Sequence, residues 1–454
     1  MRDFHDAADR ILSEVVESGG LIGVAAAAWA GDAEPYASAF GSAAEGALMR
    51  TDTSVWIASM TKAVTGAVAM QLVERGAITL DEPLGDLVPY LGTVQVLDGF
   101  DDDGTARLRP PSAPITLRRL LTHSAGFGYD WADPVLQRFV AGQPAADAGS
   151  VRSYELPLLF DPGSRWSYGI GIDWAGRVVE AVTGRRLDAV IADEICTPLA
   201  MHDTAFRRGH AQRNRAAAIH MRTDDGLVPI PFELPDEPEM VMGGGGLYST
   251  VTDYLRFTRM ILNGGAIDGV RVLAEETVAV MAGNHLEHGT ADGWSTGNPM
   301  FSNDVDLACD GPQGWGLSFL VNQQPTPQGR AAGSLSWAGI ANSYYWIDRS
   351  SGTTGVFATQ VLPFLTPRPA APSSPSRPPS ARGRRPYRII CARPTRSPRT
   401  GDVLPRPLPH DGLRHIERGA VSTDAAKPSL DDANTPMERK RQSASRITPP
   451  LGPS

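Results

Sequence analysis

Ser59 and Lys62 are the residues whose types and spacing could perform nucleophilic chemistry. Lys62 is the only lysine before Lys427, and the other basic side chains of that stretch are arginine or histidine. A buried lysine amine can release its proton, whereas arginine cannot. A helix beginning near Ala58 would place the hydroxyl and the amine on one face, one turn apart. A serine beside such an amine is a typical activated nucleophile.

Short strands and a helix must position this pair. Residues 21–30 form an apolar run typical of a buried strand, and residues 36–41 are the predicted returning strand. The helix is predicted over residues 58–75, with Gly76 ending it. A second helix is predicted from about residue 172 to residue 182, shortly after a Pro-Gly turn.

Later segments supply the rest of the expected architecture. The prolines and acidic residues of 98–114 predict a surface loop, and Thr116 is a predicted helix N-cap. The four glycines of 243–246 suggest a backbone that lies close to a neighbouring chain or ligand. Four strands of an antiparallel sheet are predicted at residues 317–322, 335–337, 343–348 and 355–359.

Composition narrows the class of protein. The chain has 454 residues, 42% hydrophobic, with a formal net charge of -9. From Leu365 onward there are 17 Lys and Arg against 7 Asp and Glu, a net of +10, so the first 364 residues carry -19. An acidic body argues against nucleic acid as a partner. No apolar run approaches the roughly 20 residues of a membrane span, so no membrane partner is expected.

The cysteines and the N-terminus predict a compartment. Cys196, Cys309 and Cys391 are far apart in the sequence and form no CxxC motif, which fits a reducing environment. Residues 1–6 include acidic side chains where a signal peptide would be basic and then apolar. A cytoplasmic location is therefore predicted.

The composition changes abruptly after Phe364. Residues 365–454 contain one aromatic residue, Tyr387, and many Pro, Arg and Ser. Such a segment buries too little apolar surface to offset its ordering entropy, so a disordered tail is predicted. Its composition is also what another reading frame of a GC-rich gene would encode, which leads to the hypothesis of a frameshift product.

The order of the motifs resembles the superfamily of class C β-lactamases, penicillin-binding proteins and carboxylesterases. Ser59-x-x-Lys62 opens a helix after the first strands, Tyr168 follows a Pro-Gly turn, and Trp337-Ala338-Gly339 lies on a late strand. Within the superfamily the likeness is greatest to the β-lactamase-like carboxylesterases called family VIII, over roughly residues 8–364. Further stretches that carry it are residues 120–126, 244–250 and 344–348.

The resemblance implies a role for each matching residue. Ser59 matches the acylated nucleophile, Lys62 the amine that helps take its proton, and Tyr168 the general base that later acts as acid toward the leaving group. The backbone N–H groups of Ser59 and Ile340 match the oxyanion hole. Gly339 would let the strand approach the acyl group closely.

Departures from the family pattern point to the substrate. Penicillin-recognising members carry Lys-Thr-Gly where this chain has Trp337-Ala338-Gly339, so the cation for a β-lactam carboxylate is missing. Their Tyr-x-Asn motif is Tyr168-Gly169-Ile170 here, which removes an amide. Both changes favour neutral, apolar acyl esters, with Trp337, Ala338 and Gly339 forming the substrate pocket.

The predicted fold is α/β or α+β, an antiparallel β-sheet flanked by helices. The sheet comes from both ends of residues 1–364, with a mostly helical domain inserted at about 80–240. The predicted reaction cleaves small carboxylic esters through acyl-Ser59, without metal or organic cofactor. Two alternatives stay open: a β-lactamase, D-aminopeptidase or other amidase, and a non-catalytic binding protein or inactive product. The oligomeric state is left open.

Overall fold

The structure is a computed structural model, and it describes residues 2–31 and 34–365. The predicted disordered tail and the frameshift hypothesis both lie outside the described residues. Apolar periodicity and turn residues delimit most elements, as the sequence predicts. For example, α-helical residues end at Thr183, and Gly184 follows with φ +67°, a left-handed conformation that glycine adopts at little cost.

The helices are, in chain order, α1 (Arg2–Glu17), α2 (Thr61–Glu74), α3 (Pro89–Thr93), α4 (Leu117–Leu121), α5 (Pro134–Ala141), α6 (Gly171–Thr183), α7 (Leu187–Ile191), α8 (His210–Arg213), α9 (Val251–Leu262) and α10 (Glu275–Ala282). Short 3-10 turns lie at Ala58–Met60, Asp130–Ala132, Val151–Tyr154 and Leu307–Asp310, and a π-helical turn lies at Ala192–Cys196.

The strands are β1 (Gly23–Ala30), β2 (Tyr36–Ala44), β3 (Ala47–Leu48), β4 (Val55–Trp56), β5 (Val96–Phe100), β6 (Ala106–Arg109), β7 (Ile219–Thr223), β8 (Gly226–Ile230), β9 (Tyr248–Ser249), β10 (Ala266–Ile267), β11 (Val270–Arg271), β12 (Gly293–Trp294), β13 (Val305–Asp306), β14 (Gln313–Trp315), β15 (Leu320–Asn322), β16 (Leu335–Gly339), β17 (Ser343–Asp348), β18 (Thr353–Ala358) and β19 (Val361–Leu362).

The main sheet joins the two ends of the described chain. Its strand order is β14-β15-β16-β17-β18-β1-β2-β3, and every neighbouring pair is antiparallel. Strand β1 pairs with β18 in a register that sets Ala27 opposite Val356. The fold is therefore α+β, with an antiparallel sheet flanked by helices, as predicted. Smaller pairs are β4-β9, β5-β6, β10-β11 and β12-β13, and β7 joins β8 and β19.

Helix α2 lies in the centre of the core. Every residue from Thr61 to Leu72 is buried, because α2 packs against α6 and α7 and its 3-10 lead-in packs against β16 and β17. A helix that is apolar on all sides is typical of such a buried position. Helix α9 covers β1, β17 and β18, and α1 packs against β1 and β2. The buried lysine of α2 is consequently held in a rigid, largely apolar setting.

Three predicted segments differ from the structure. The helix predicted over residues 58–75 begins as a 3-10 turn, and α2 proper starts at Thr61. Residues 98–114 are not only a loop, because β5 and β6 pair around the turn at Asp101–Gly104. The strand predicted at 317–322 begins at Leu320, since Ser318 has φ +77°, which a strand residue does not adopt.

The predicted division into a sheet domain and an inserted domain at about 80–240 stays a prediction. That range contains α3 to α8 together with the hairpins β5-β6 and β7-β8. Across the described ranges, none of the helices combines the length and apolar character that crossing a bilayer requires.

Candidate active site

Ser59 lies at the middle of the 3-10 turn that precedes α2. The preceding residue, Ala58, has φ +45°, a conformation that costs a non-glycine residue about 1–3 kcal/mol. Strand β4 leads into the turn and pairs with β9, which fixes its direction. Ser59 is half-buried, while Ala58 and Met60 on either side are buried. The backbone therefore presents one hydroxyl at the edge of an otherwise closed core.

The Lys62 amine is completely buried and has three hydrogen-bond acceptors. Its Nζ donates to Ser59 Oγ at 3.2 Å, to the Tyr129 hydroxyl at 3.0 Å and to the Gly244 carbonyl at 2.6 Å. Three acceptors match the three N–H donors of an ammonium group. The predicted spacing of Ser59 and Lys62 thus brings the hydroxyl and the amine into contact.

Tyr168 also lies close to the Lys62 amine. Its ring centroid is 4.8 Å from Lys62 Nζ, and its hydroxyl accepts a hydrogen bond of 3.2 Å from Trp337 Nε1. The side chain is 5% exposed. Tyr168 thus lies against the same buried amine that contacts the Ser59 hydroxyl.

His123 positions Tyr168 through the backbone on either side of it. The His123 carbonyl accepts from the Ser167 N–H at 2.9 Å, and its Nδ1 accepts from the Gly169 N–H at 3.4 Å. Burial, followed by the charge of Lys62, lowers the pKa of His123 well below 6.5. The imidazole is therefore neutral, and its hydrogen bonds suit a structural role of holding the adjacent turn rather than that of a base.

Tyr129 was not singled out by the sequence, although it contacts Lys62 directly. Burial raises the pKa of its hydroxyl well above 10, and nearby Asp173 and Tyr168 add to the effect. A tyrosine that ionises with such difficulty serves better as a hydrogen-bond partner than as a base. The two tyrosines also meet Lys62 differently, since the amine donates to the Tyr129 hydroxyl and lies over the Tyr168 ring.

Asp173 and Gly244 form a support behind Lys62. The Gly244 N–H donates to Asp173 Oδ1 at 2.8 Å, and the Gly244 carbonyl accepts a hydrogen bond from the Lys62 amine. A side chain at position 244 would collide with the Asp173 carboxylate, so this site requires glycine. The glycine run was predicted to lie close to a neighbouring chain or ligand, and at Gly244 it lies close to the Asp173 side chain. Burial raises the pKa of Asp173 above 3.8, against the opposing effect of Lys62.

Replacing Asp173 with alanine is expected to lower the free energy of unfolding by about 1–3 kcal/mol, because the buried Gly244 N–H loses its acceptor. Urea denaturation measures the change.

The folded state holds the Asp173 proton more tightly than the unfolded chain does. The contribution of Asp173 to the free energy of unfolding of the wild type is therefore fully present below pH 3.8. It is lost as the pH rises through the raised pKa of the folded state.

The control for this change is Asp225→Ala, an exposed carboxylate on the β7-β8 turn. It should leave the unfolding curve unchanged. An Asp173→Ala curve that coincides with the wild type at every pH would contradict the support role.

Strand β16 ends beside the 3-10 turn that carries Ser59. Gly339 is its last residue and lies so close to the Ile57 carbonyl that a larger side chain would collide with it. The next residue, Ile340, is half-buried. The approach places the backbone of Ile340 and Ser59 on neighbouring segments, so the predicted oxyanion hole remains a prediction consistent with this packing.

Aromatic side chains surround Tyr168. Trp337 and Ala338 are buried on β16. The Trp337 and Trp315 rings lie 5.0 and 6.4 Å from the Tyr168 ring, and the Trp294 ring lies parallel to it at 5.1 Å. The environment is apolar around the hydroxyl and amine groups. In the described part of the chain, no group of three or more His, Cys, Asp or Glu side chains gathers to hold a metal ion.

The structure therefore brings together Ser59, Lys62, Tyr168 and the Trp337–Gly339 strand end, which the sequence predicted, and adds residues that it did not. Asp173 follows Tyr168 by five residues at the start of a helix, where an acidic residue is usually attributed to the helix dipole. Tyr129 follows a Gly-rich turn without a periodic pattern. Only their proximity to Lys62 in the folded structure marks Asp173 and Tyr129 as parts of the site.

Comparison with known proteins adds a family match. The sequence model of the family described as Beta-lactamase matches residues 8–373. Monacolin J acid methylbutanoyltransferase of Aspergillus terreus is 31% identical over 335 residues, which are 70% of this chain and 79% of that protein. Lovastatin esterase of Penicillium rubens is 33% identical over 329 residues, or 69% and 81% of the two chains.

Solved structures agree with this match. The unliganded simvastatin synthase of Aspergillus terreus has a TM-score of 0.66 and 28% identity, covering 79% of this chain and 93% of that one. A hydrolase described as having promiscuous acyltransferase activity has a TM-score of 0.61 at 21% identity, covering 78% and 92%, and shows the likeness of fold alone.

Proposed function

We propose that this chain, which belongs to the Beta-lactamase family, is a serine carboxylesterase that cleaves small, neutral esters through an acyl-Ser59 intermediate. Its relatives within the serine β-lactamase-like superfamily include esterases and acyltransferases. The coarser assignment, a serine hydrolase or acyltransferase of this fold, rests on that membership. The ester substrate and the role of each residue are the proposal.

One observation carries the proposal. A completely buried lysine amine lies 3.2 Å from the hydroxyl of a serine whose backbone conformation is strained. In the proposed mechanism, Ser59 Oγ attacks the ester carbonyl while its proton passes to the Lys62–Tyr168 pair. Tyr168 then protonates the leaving alcohol. A water molecule activated by the same pair hydrolyses the acyl-enzyme.

Several features support esters over β-lactams and peptides. Trp337 stands where penicillin-recognising members have lysine, and its indole N–H is directed to the Tyr168 hydroxyl. No cation of the late strand is then available for a substrate carboxylate. The apolar surroundings of Tyr168 favour a neutral substrate, because burying an unpaired charge there would be costly.

Transfer of the acyl group to an alcohol is a second candidate function. The relatives named as acyltransferases support it, since this chain spans 79% of the one from Aspergillus terreus. Water and an alcohol would approach acyl-Ser59 from the same side and deliver their proton to the same base. Hydrolysis and transfer therefore differ only in which hydroxyl compound occupies the site.

Covalent labelling tests the proposal. An activated alkyl phosphonate is expected to modify the full-length protein once, at Ser59, with the adduct located by peptide mass spectrometry. The Ser59→Ala variant should remain unlabelled, and Ser249→Ala, which removes a buried serine outside the site, should label normally. Wild-type protein should also hydrolyse p-nitrophenyl butyrate much faster than a chromogenic cephalosporin.

Two results would contradict the proposal. Folded protein that takes up no phosphonate would favour a non-catalytic binding protein or an inactive product. Cephalosporin turnover comparable to ester turnover would favour the amidase alternative.

A further inference from the structure

The hairpin of β12 and β13 places one tryptophan directly on the predicted acid–base residue. The Trp294 ring lies parallel to the Tyr168 ring, with an interplanar angle of 17° and 5.1 Å between centroids. It also lies parallel to the Phe364 ring, with 6.1 Å between centroids. Its Nε1 donates to Ser302 Oγ at 3.2 Å, so the indole has a defined orientation.

The hairpin is fixed on both sides of the site. At its tip, the N–H groups of Gly297 and Asn298 both donate to the Trp131 carbonyl, at 2.7 and 3.1 Å. Near the end of the loop that connects the two strands, the Asn303 N–H and side-chain amide both donate to the Phe364 carbonyl, at 3.1 and 3.0 Å. Hydrogen bonds to segments far apart in sequence hold Trp294 in place, so it is a wall of the site rather than a mobile loop residue.

A second tryptophan continues this wall. The Trp131 ring meets the Trp294 ring edge-on at 5.9 Å and stacks on Tyr129 at 5.1 Å. Trp131, Trp294 and Tyr129 are only partly buried, whereas Tyr168 beneath them is 5% exposed. The accessible side of the acid–base group is therefore an aromatic surface, with the Lys62 amine 5.3 Å from the centroid of its Tyr129 ring.

We propose that Trp294 and Trp131 form the binding surface for the alcohol part of the substrate and select apolar, ring-containing alcohols over small ones. The inference rests on the proposed function. Its basis is that Tyr168 must contact the oxygen of the leaving alcohol. Trp294 contacts the Tyr168 ring directly, and Trp131 adjoins Trp294 and Tyr129. The acyl part is expected at the end of β16, beside Gly339 and the oxyanion hole.

The same surface would serve an incoming alcohol. In that step, the bond between the alcohol oxygen and the acyl carbon forms and the bond from Ser59 Oγ to the acyl carbon breaks. The alcohol proton passes to Tyr168, and a proton returns to Ser59 Oγ through Lys62. An aromatic surface that binds an apolar alcohol raises its local concentration over that of water, so transfer competes with hydrolysis.

Two series of esters test the proposal in the full-length chain. The first keeps the acetyl group and changes the alcohol from methyl to hexyl to benzyl. The second keeps p-nitrophenol and lengthens the acyl chain from acetyl to hexanoyl. Trp294→Ala is expected to reduce the benzyl-to-methyl ratio of kcat/KM about tenfold, as for other losses in an apolar pocket. Its preference within the acyl series should equal that of the wild type.

Transfer provides a second readout. With p-nitrophenyl butyrate and added benzyl alcohol, Trp294→Ala should give a ratio of benzyl butyrate to butyric acid about tenfold lower than the wild type does. Trp294→Phe should retain most of both preferences. Trp131→Ala leaves the hairpin and the contact of Trp294 with Tyr168 in place, and it should shift both ratios in the same direction. This variant tests the proposal even if the Trp294→Ala protein does not fold.

The matched control is Trp29→Ala, which removes a partly buried tryptophan of β1 that packs against Arg259 outside the site. It should leave both ratios unchanged. Unaltered benzyl-to-methyl ratios in folded Trp294→Ala and Trp131→Ala would overturn the inference, as would a change confined to the acyl series. Wild-type protein without ester turnover or Ser59 labelling would instead overturn the proposed function itself.

Discussion

Lys62→Arg is expected to lower ester turnover by about 10²–10⁴-fold, the usual contribution of a general acid–base group. The change keeps a positive charge and N–H donors beside Ser59. It removes the ability to release a proton, because guanidinium stays charged in proteins. The kcat for p-nitrophenyl butyrate measures the effect, with acyl-enzyme formation followed in the first turnover.

Controls separate proton transfer from packing. Arginine is larger than lysine and position 62 is fully buried, so Lys62→Met provides a variant of similar length that lacks the charge. It should be as inactive as Lys62→Arg. Arg75→Lys, the reverse exchange at an exposed ion pair with Glu194, should have no effect. Turnover within tenfold of the wild type in Lys62→Arg would refute a proton-transfer role for this amine.

Tyr168→Phe is expected to lower kcat by a similar factor, about 10²–10⁴-fold, because the leaving alcohol loses its proton donor. The ring and its contacts with Trp294 and Trp337 are retained, so a folding defect is not expected. Acetate esters with poor and good leaving groups provide the measurement. The loss should be larger for alkyl acetates than for p-nitrophenyl acetate, which needs little protonation.

Tyr129→Phe is the matched comparison, since both tyrosines lie beside the Lys62 amine. It removes one hydrogen bond of 3.0 Å to Lys62 Nζ. The expected decrease in kcat is about tenfold or less, in line with roughly 0.5–1.5 kcal/mol for such a bond. This decrease should not depend on the leaving group. If Tyr129→Phe showed the leaving-group dependence and Tyr168→Phe did not, the assignment of the acid–base tyrosine would have to be reversed.

Much of the fold could be predicted because local patterns and tertiary structure agree. The apolar runs of β1, β17 and β18 are buried where the sequence places strands, and Thr116 caps α4 by accepting the Arg119 N–H. Thr250 caps α9 in the same way, by accepting the Asp253 N–H.

The site was predictable where its chemistry depends on residue type. A lone lysine three residues after a serine, a tyrosine after a Pro-Gly turn, and a glycine at the end of a late strand have rare chemical or conformational properties. Asp173, Tyr129 and Trp294 escaped because an acid at a helix start, a tyrosine after a glycine and an isolated tryptophan each have ordinary structural explanations.

The sequence by itself determined the pairing of Ser59 with Lys62 and the antiparallel sheet, since these follow from residue type and short-range spacing. Only the tertiary structure decided which groups complete the site. Tyr129, Gly244 and Trp294 lie 67, 182 and 232 positions after Lys62 in the sequence, and the first two accept hydrogen bonds from its amine at 3.0 and 2.6 Å. Such contacts depend on how α2, α6 and the hairpin of β12 and β13 pack together, and packing between distant segments leaves no periodic signal in the chain.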